Sequence, residues 1–238
     1  MLNLHDRDAL EAVGAHYNAS NMMRVRNMTR DAVMEIAGLI KPGMIEEQAL
    51  ELAKHVLAER EMLRGWHGVF VRFASNTVKT FGAPSDVGVV LGEDDIFFID
   101  IGPTWQGFEG DGGQTFVTGT DTGKARCAQD SQAIFHEVRR HWLATGATGK
   151  ALYLFAAQAS ERRGWELNMD LDGHRLSDFP HTAIYKGAMA DIEFTPSSQL
   201  WVLEIHIRHP DHTYGAFFED MLLEDEYFAE SSERTRLL

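Results

Sequence analysis

The chain has one cysteine, Cys127, in 238 residues, so it can form no internal disulfide and carries no Cys-x-x-Cys pair. Cys127 alone is expected to pack as a small apolar side chain. Positive charge is also scarce. Twenty-two Lys and Arg against 36 Asp and Glu leave a net charge of −14, which argues against nucleic acid and anionic membranes as partners. No apolar run is long enough to span a bilayer, and the opening Met-Leu-Asn-Leu-His-Asp-Arg-Asp carries no apolar leader, so a cytoplasmic protein is expected. His-Glu-x-x-His, a glycine-rich phosphate loop, a Pro/Gly/Ser-rich linker and a short-period repeat are all missing. Residues 1–238 therefore read as one domain, long enough to bury a core.

What the chain does contain is acid in apolar surroundings. Asp100 lies within the run Phe-Phe-Ile-Asp-Ile, which reads as a buried strand over Ile96–Ile101, and Asp111 follows eleven residues later. A carboxylate inside such a strand is costly unless a cation or donor meets it. Gly102, Pro103 and Gly107 supply a turn, after which Glu109, Asp111, Gly113 and Thr115 would share one face of a second strand. Two readings are open on this segment: a hairpin brings both carboxylates to one point, or one caps a turn while the other is solvated. Glu204 lies in Trp-Val-Leu-Glu-Ile-His-Ile, where Trp201, Leu203, Ile205 and Ile207 alternate with a polar row carrying Glu204 and His206. Glu219 is embedded in Phe-Phe-Glu-Asp-Met-Leu-Leu, and His174 and His181 stand seven residues apart in the segment between. Four such carboxylates packed together would repel and resist ionisation. Two divalent cations would neutralise them, and carboxylates with an imidazole suit manganese, cobalt, iron or zinc.

Helical periodicity covers Asp6 to Leu39 with a break inside it, then 46–60, 124–145 and 150–164. Strands are expected near 70–74, 96–101 and 114–118, and turn and strand from residue 165 onward. Helices covering one side of an antiparallel sheet give an α+β fold.

The acid and histidine set resembles the pita-bread metallopeptidases: methionine aminopeptidase, aminopeptidase P, prolidase and the non-peptidase creatinase. The pattern matched is Asp, a second Asp eleven residues on, a His after Gly, a Glu ending a strand and a final Glu before Asp. Lys41-Pro-Gly-Met-Ile-Glu-Glu-Gln-Ala49 resembles the family's segment between its first two helices. The resemblance implies a curved antiparallel sheet covered by helices, two metal ions held by Asp100, Asp111, His174, Glu204 and Glu219, and metal-bound hydroxide attacking an amide carbonyl. Asp111 and Glu219 would bridge the metals, Glu204 would also accept the proton of the attacking water, and His181 would hold the substrate or, on the plainer reading, hydrogen-bond a loop. A small peptide or small-molecule substrate and, by analogy with small relatives, a homodimer are implied too.

Several positions depart from the family pattern. Phe81 stands where the peptidases carry a histidine that contacts the scissile amide, and Arg175 and Ser177 replace glycines after His174. His206 shares the face of Glu204, so it either takes the place of the missing histidine or supports a ligand from behind. Arg175 and Arg208 could clamp a carboxylate. An aminopeptidase-type hydrolase is the first expectation. A creatinase-like enzyme cleaving a small C–N bond is the second, and a catalytically silent binding module the third.

Overall fold

The computed structural model describes residues 3–178 and 180–227. Met1, Leu2, Phe179 and 228–238 lie outside the described residues, and with them the first two positions of the opening stretch and the C-terminal end of the expected 1–238 unit.

The helical stretch at the start does break. Asp6 caps a single turn, α1 (Arg7–Leu10), and Asn18 caps α2 (Ala19–Leu39) by accepting from the Asn21 amide at 3.0 Å. Between them Glu11 turns inward and accepts from Ser197 and from Trp201 Nε1 at 2.7 Å. Val13 and Leu39, though apolar, are exposed, while Met22, Val25, Val33 and Ile36 form the buried stripe of α2. After Pro42-Gly43 comes α3 (Glu46–Glu59), with two acids in its first turn. Further on, Asp121 caps α4 (Thr122–Thr145), which ends on left-handed Gly146, and Thr148 caps α5 (Gly149–Glu161).

The strands are β1 (Phe70–Phe73), β2 (Ile96–Ile101), β3 (Thr104–Trp105), β4 (Phe108–Glu109), β5 (Gly112–Val117), β6 (Glu166–Leu167), β7 (His174–Arg175), β8 (Trp201–Arg208) and β9 (Gly215–Met221). Seven of them make an antiparallel sheet in the order β1-β2-β5-β9-β8-β6, with β7 also paired to β8. Read outward from the centre, the two halves match: β5-β2-β1 packs under α2 and α3, and β9-β8-β6 packs under α4 and α5.

Side-chain alternation divides the sheet into two faces. On β2, Phe97, Ile99 and Ile101 meet the α2/α3 core, so Phe98 and Asp100 point the other way. On β8, Trp201, Leu203, Ile205 and Ile207 pack in the α4/α5 core, and Val202, Glu204 and His206 take the opposite face. On β9, Ala216 and Phe218 face the helices, and Phe217, Glu219 and Met221 face away. The face turned away from the α2/α3 and α4/α5 cores, covered at one end by Met22 and Val25 of α2, therefore collects the acids.

Candidate metal centre

Strand register brings the acids into one line. Asp100 of β2 is opposite Gly113 of β5, Gly113 is opposite Glu219 of β9, and Glu219 is opposite Glu204 of β8. Neighbouring strands are about 4.8 Å apart, so three carboxylates and one glycine span the sheet in a single row. Gly113 has to lack a side chain, because a Cβ there would lie 2.8 Å from Glu219 Oε1 and 2.4 Å from the Phe217 ring. Asp111, two residues before Gly113, is presented to the same face just ahead of β5.

Asp111 does not sit in a strand with Glu109, as the alternation suggested. Gln106 and Gly107 both have positive φ, 49° and 84°, and close the small hairpin β3–β4 between β2 and β5. Glu109 on β4 is thereby turned out of the row. Its carboxylate accepts from the His181 amide at 3.0 Å, from the Ser177 amide at 3.1 Å, and pairs with His181 Nδ1 at 2.7 Å.

His174 enters on β7, which pairs with β8 through His174 and Val202. Gly173 before it has φ +70°, and a Cβ would lie 2.6 Å from the Val202 carbonyl, so only glycine fits. Its amide donates to Glu204 Oε2 at 2.9 Å. The Glu204 backbone is fixed by the Tyr153 hydroxyl, which donates to the Glu204 carbonyl at 3.0 Å and accepts from its amide at 3.1 Å. Trp66 supplies a wall: its ring makes edge contacts with His67, His174 and His181 at 4.4–4.8 Å, and its Nε1 donates to the Gly110 carbonyl.

Together these residues line a cavity of 310 Å³ containing Asp100, Asp111, His174, His181, Glu204 and Glu219, with Asp170, Asp172 and Lys186 among its other polar groups. His67, which the sequence reading passed over, also reaches it: Nε2 is 3.1 Å from Asp111 Oδ1 and 3.5 Å from Asp100 Oδ1. The available signal was a histidine between glycines, Gly65-Trp66-His67-Gly68, just before a strand.

The electrostatics ask for positive charge. Burial and the neighbouring acids push Glu219 well above the usual carboxylate range, and burial raises Glu204 too. Burial raises Asp100 to about 7, with His67 opposing and Asp111 reinforcing. Asp111 is the exception: burial is outweighed by its two histidines, and its pKa falls to about 2. Burial opposes charge on His67 and His174, but the acids beside them win and raise each to about 9. Asp220 makes the contrast plain. It follows Glu219, faces the helices, and is met there by Arg26 at 2.7 Å and Arg30 at 2.8 Å, which hold its carboxyl low despite full burial. Among the described residues no arginine or lysine plays that part for Glu219. Its Oε1 and Asp111 Oδ2 are buried without a hydrogen bond, although His174 Nε2 lies 2.8 Å from the latter, off the line of one. With all four carboxyls ionised and both rings neutral, the state that metal binding selects, the set carries four negative charges, the complement of two divalent cations. The donor set fits such ions.

The sequence profile of metallopeptidase family M24 matches residues 20–226. The chain belongs to this family. No curated protein matches it. Among solved structures it is similar to an X-Pro aminopeptidase from Thermotoga maritima, at 18% identity and TM-score 0.68, over 86% of this chain and 58% of that one. A prolidase from Pyrococcus horikoshii is 17% identical, with TM-score 0.66 over 91% of this chain and 62% of that one. A methionine aminopeptidase from Thermotoga maritima is 15% identical at TM-score 0.66, over 94% and 96%. The chain thus spans about three-fifths of the length of the first two. These likenesses are of fold, and the fold is the pita-bread fold of family M24.

Within that family frame the departures sort themselves. Arg175 and Ser177, which replace glycines, turn away from the cavity: Arg175 donates to the carbonyls of Leu200 and Ala12, and Ser177 to Asp178. Arg175 is therefore a buried fastener, and Arg208 at the end of β8 is not among the cavity residues. His206 does not reach the cavity either. Its Nε2 donates to the Thr77 carbonyl at 2.7 Å and its Nδ1 accepts from Asn168 at 3.0 Å, so neither nitrogen is left for a substrate. Phe81 does line the cavity, half exposed, with its ring 4.9 Å from Phe70 and 5.9 Å from His67.

Proposed function

We propose that the chain is a hydrolase of amide-type C–N bonds working with two divalent cations held by Asp100, Asp111, His174, Glu204 and Glu219. The observation that carries this reading is the single row Asp100–Gly113–Glu219–Glu204, completed by Asp111 and His174, with two buried oxygens that accept no well-aligned hydrogen bond. Cations bound there would polarise a substrate carbonyl and lower the pKa of a coordinated water. Asp111 and Glu219, central in the set, are suited to bridging. Glu204, oriented through Oε2 by the Gly173 amide, is the carboxylate that takes up the proton. His181 has its Nδ1 engaged by Glu109, so Nε2 is the nitrogen left to hold a substrate oxygen or amide. Trp66 and Phe81 wall the site against water.

An aminopeptidase-type substrate, such as a short peptide with an Xaa-Pro or amino-terminal Met bond, is the leading form of this reading. Phe81 in place of a histidine favours a second form, a small C–N metabolite. A panel of both substrate types, assayed with manganese, cobalt, iron or zinc, separates them. The Asp111→Ala variant should bind less than half the wild-type metal and turn over more than a thousandfold slower. Full activity and full metal content in that variant would sink the assignment, and wild-type protein that binds no metal would leave the silent binding module as the surviving alternative.

A further inference from the structure

His67 belongs to none of the motifs that carry the family pattern, yet it is built into the centre. It precedes β1, and its side chain is 7% exposed. Gly102, at the end of β2, leaves the space the ring occupies: a Cβ there would lie 2.2 Å from His67 Nε2. Two atoms bound to one ion at about 2.1 Å, and about 90–109° apart, stand roughly 3.0–3.4 Å from each other. The 3.1 Å from His67 Nε2 to Asp111 Oδ1 falls in that range, and the 3.5 Å to Asp100 Oδ1 lies just beyond it.

His174 stands on the other side of the same carboxylate and closer to it, with Nε2 2.8 Å from Asp111 Oδ2. In each ring Nδ1 contacts the carbonyl of the next residue, Gly68 at 2.6 Å and Arg175 at 2.7 Å. An Nδ1–H donated to a carbonyl leaves the lone pair on Nε2, the form in which imidazole binds metals. At both ends of Asp111 a ring nitrogen therefore faces a carboxylate oxygen, across a proton while the centre is empty and across a cation once one displaces that proton. His67, Asp100 and Asp111 can converge on one ion, and Asp111, His174 and Glu219 on another.

We propose that His67 is a ligand of the cation at Asp100 and Asp111, so that each of the two positions carries one imidazole and Asp111 joins them. The proposal rests on the two-cation reading above and deepens it. Phe81, packed against the ring, then acts as the wall that holds His67 in place, and the imidazole of this side of the cavity comes from position 67. A nitrogen donor at each position shifts preference from manganese toward cobalt and zinc.

The test is cobalt titration of the full chain, followed by visible absorption and elemental analysis, with the His67→Gln variant alongside. Wild-type protein should bind two cobalt ions. His67→Gln should keep one at unchanged affinity, weaken the other more than tenfold, and lose part of the visible band. X-ray absorption on zinc-loaded wild-type protein, which needs no variant to fold, should find about one imidazole per zinc. One imidazole per two zinc ions, or two cobalt ions bound to His67→Gln with wild-type affinity and spectrum, would refute the proposal. Fewer than two ions in wild-type protein would overturn the two-cation reading itself and His67 with it, a failure visible before any variant is made.

Discussion

His206 shows how a histidine can be spent entirely on structure. It is fully buried, and its neutral form satisfies both the Thr77 carbonyl and Asn168. Burial drives its pKa down to about 3, with the Thr77 hydrogen bond opposing, against about 6.5 for an unfolded histidine. Between those values the unfolded chain binds a proton that the folded chain does not, so stability rises with pH there. The contribution is complete above about 6.5 and is lost as pH falls toward 3. His206→Gln should cost about 1–3 kcal/mol at pH 7.5 and should flatten the loss of stability on going to pH 5. Urea midpoints for both proteins across that interval check it; an acid limb of unchanged steepness would show that His206 is not the group responsible. At this scale the sequence spoke through contrast. Asp100, Glu204 and Glu219 stood out because acids are rare in apolar strands, and the structure gathers them at one cavity with Asp111 and His174. Glu109 and His206 carried a similar signal and are used otherwise, because which partner a polar side chain meets is decided by neighbours far along the chain. His67 was passed over because its glycine flanks are the only local mark it has.

The elements were readable wherever periodicity and punctuation agreed. β2 spans the expected 96–101, and α4 runs from an Asp cap to a Gly stop, because each is fixed by its own residues. The stretch between Asp100 and Asp111 was readable only in part. Alternation carries one strand through Glu109, but two consecutive residues of positive φ insert the β3–β4 hairpin and change which face Glu109 presents. Pairing between β5 and β9, the joint of the two halves, leaves no trace in either strand's sequence. There Thr115 Oγ1 donates to the Phe217 carbonyl at 2.8 Å and accepts from its amide at 2.7 Å, securing the pair beyond Gln114–Phe218. Gly113 lies in that joint, and the conclusion about its missing Cβ can be tested. Gly113→Ala should cost about 1–3 kcal/mol by overpacking. It should also displace Glu219 and lower metal content far more than a loss of that size explains. A folded Gly113→Ala protein with full metal would mean that the row tolerates a side chain at its centre.

The whole molecule joins two helix-covered halves, and the acidic row crosses the joint: Asp100 and Asp111 come from one half, and His174, Glu204 and Glu219 from the other. Among the described residues no helix is long and apolar enough to cross a membrane. Cations binding the row would therefore do more than complete a site, because ligands from both halves would have to separate before the sheet could open at β5–β9. A ligand that binds only the folded state at a hundred times its dissociation constant stabilises by about 2.7 kcal/mol. In a protein of this size that corresponds to a rise in Tm of about 5–11 °C per site. Chelator-treated protein should accordingly melt at least 5 °C below the same protein with excess cobalt or zinc, and Asp111→Asn should lose most of the difference. The sign for Asp111→Asn without metal is the informative part. Removing the Asp111 charge relieves repulsion with the neighbouring carboxyls, but the pairing of Asp111 with His67 and His174 goes with it, and those contacts hold its pKa near 2. The metal-free variant should thus be less stable than metal-free wild type. A variant more stable than wild type under chelation would show instead that repulsion dominates the empty centre, and that the two histidines contribute little until a cation arrives.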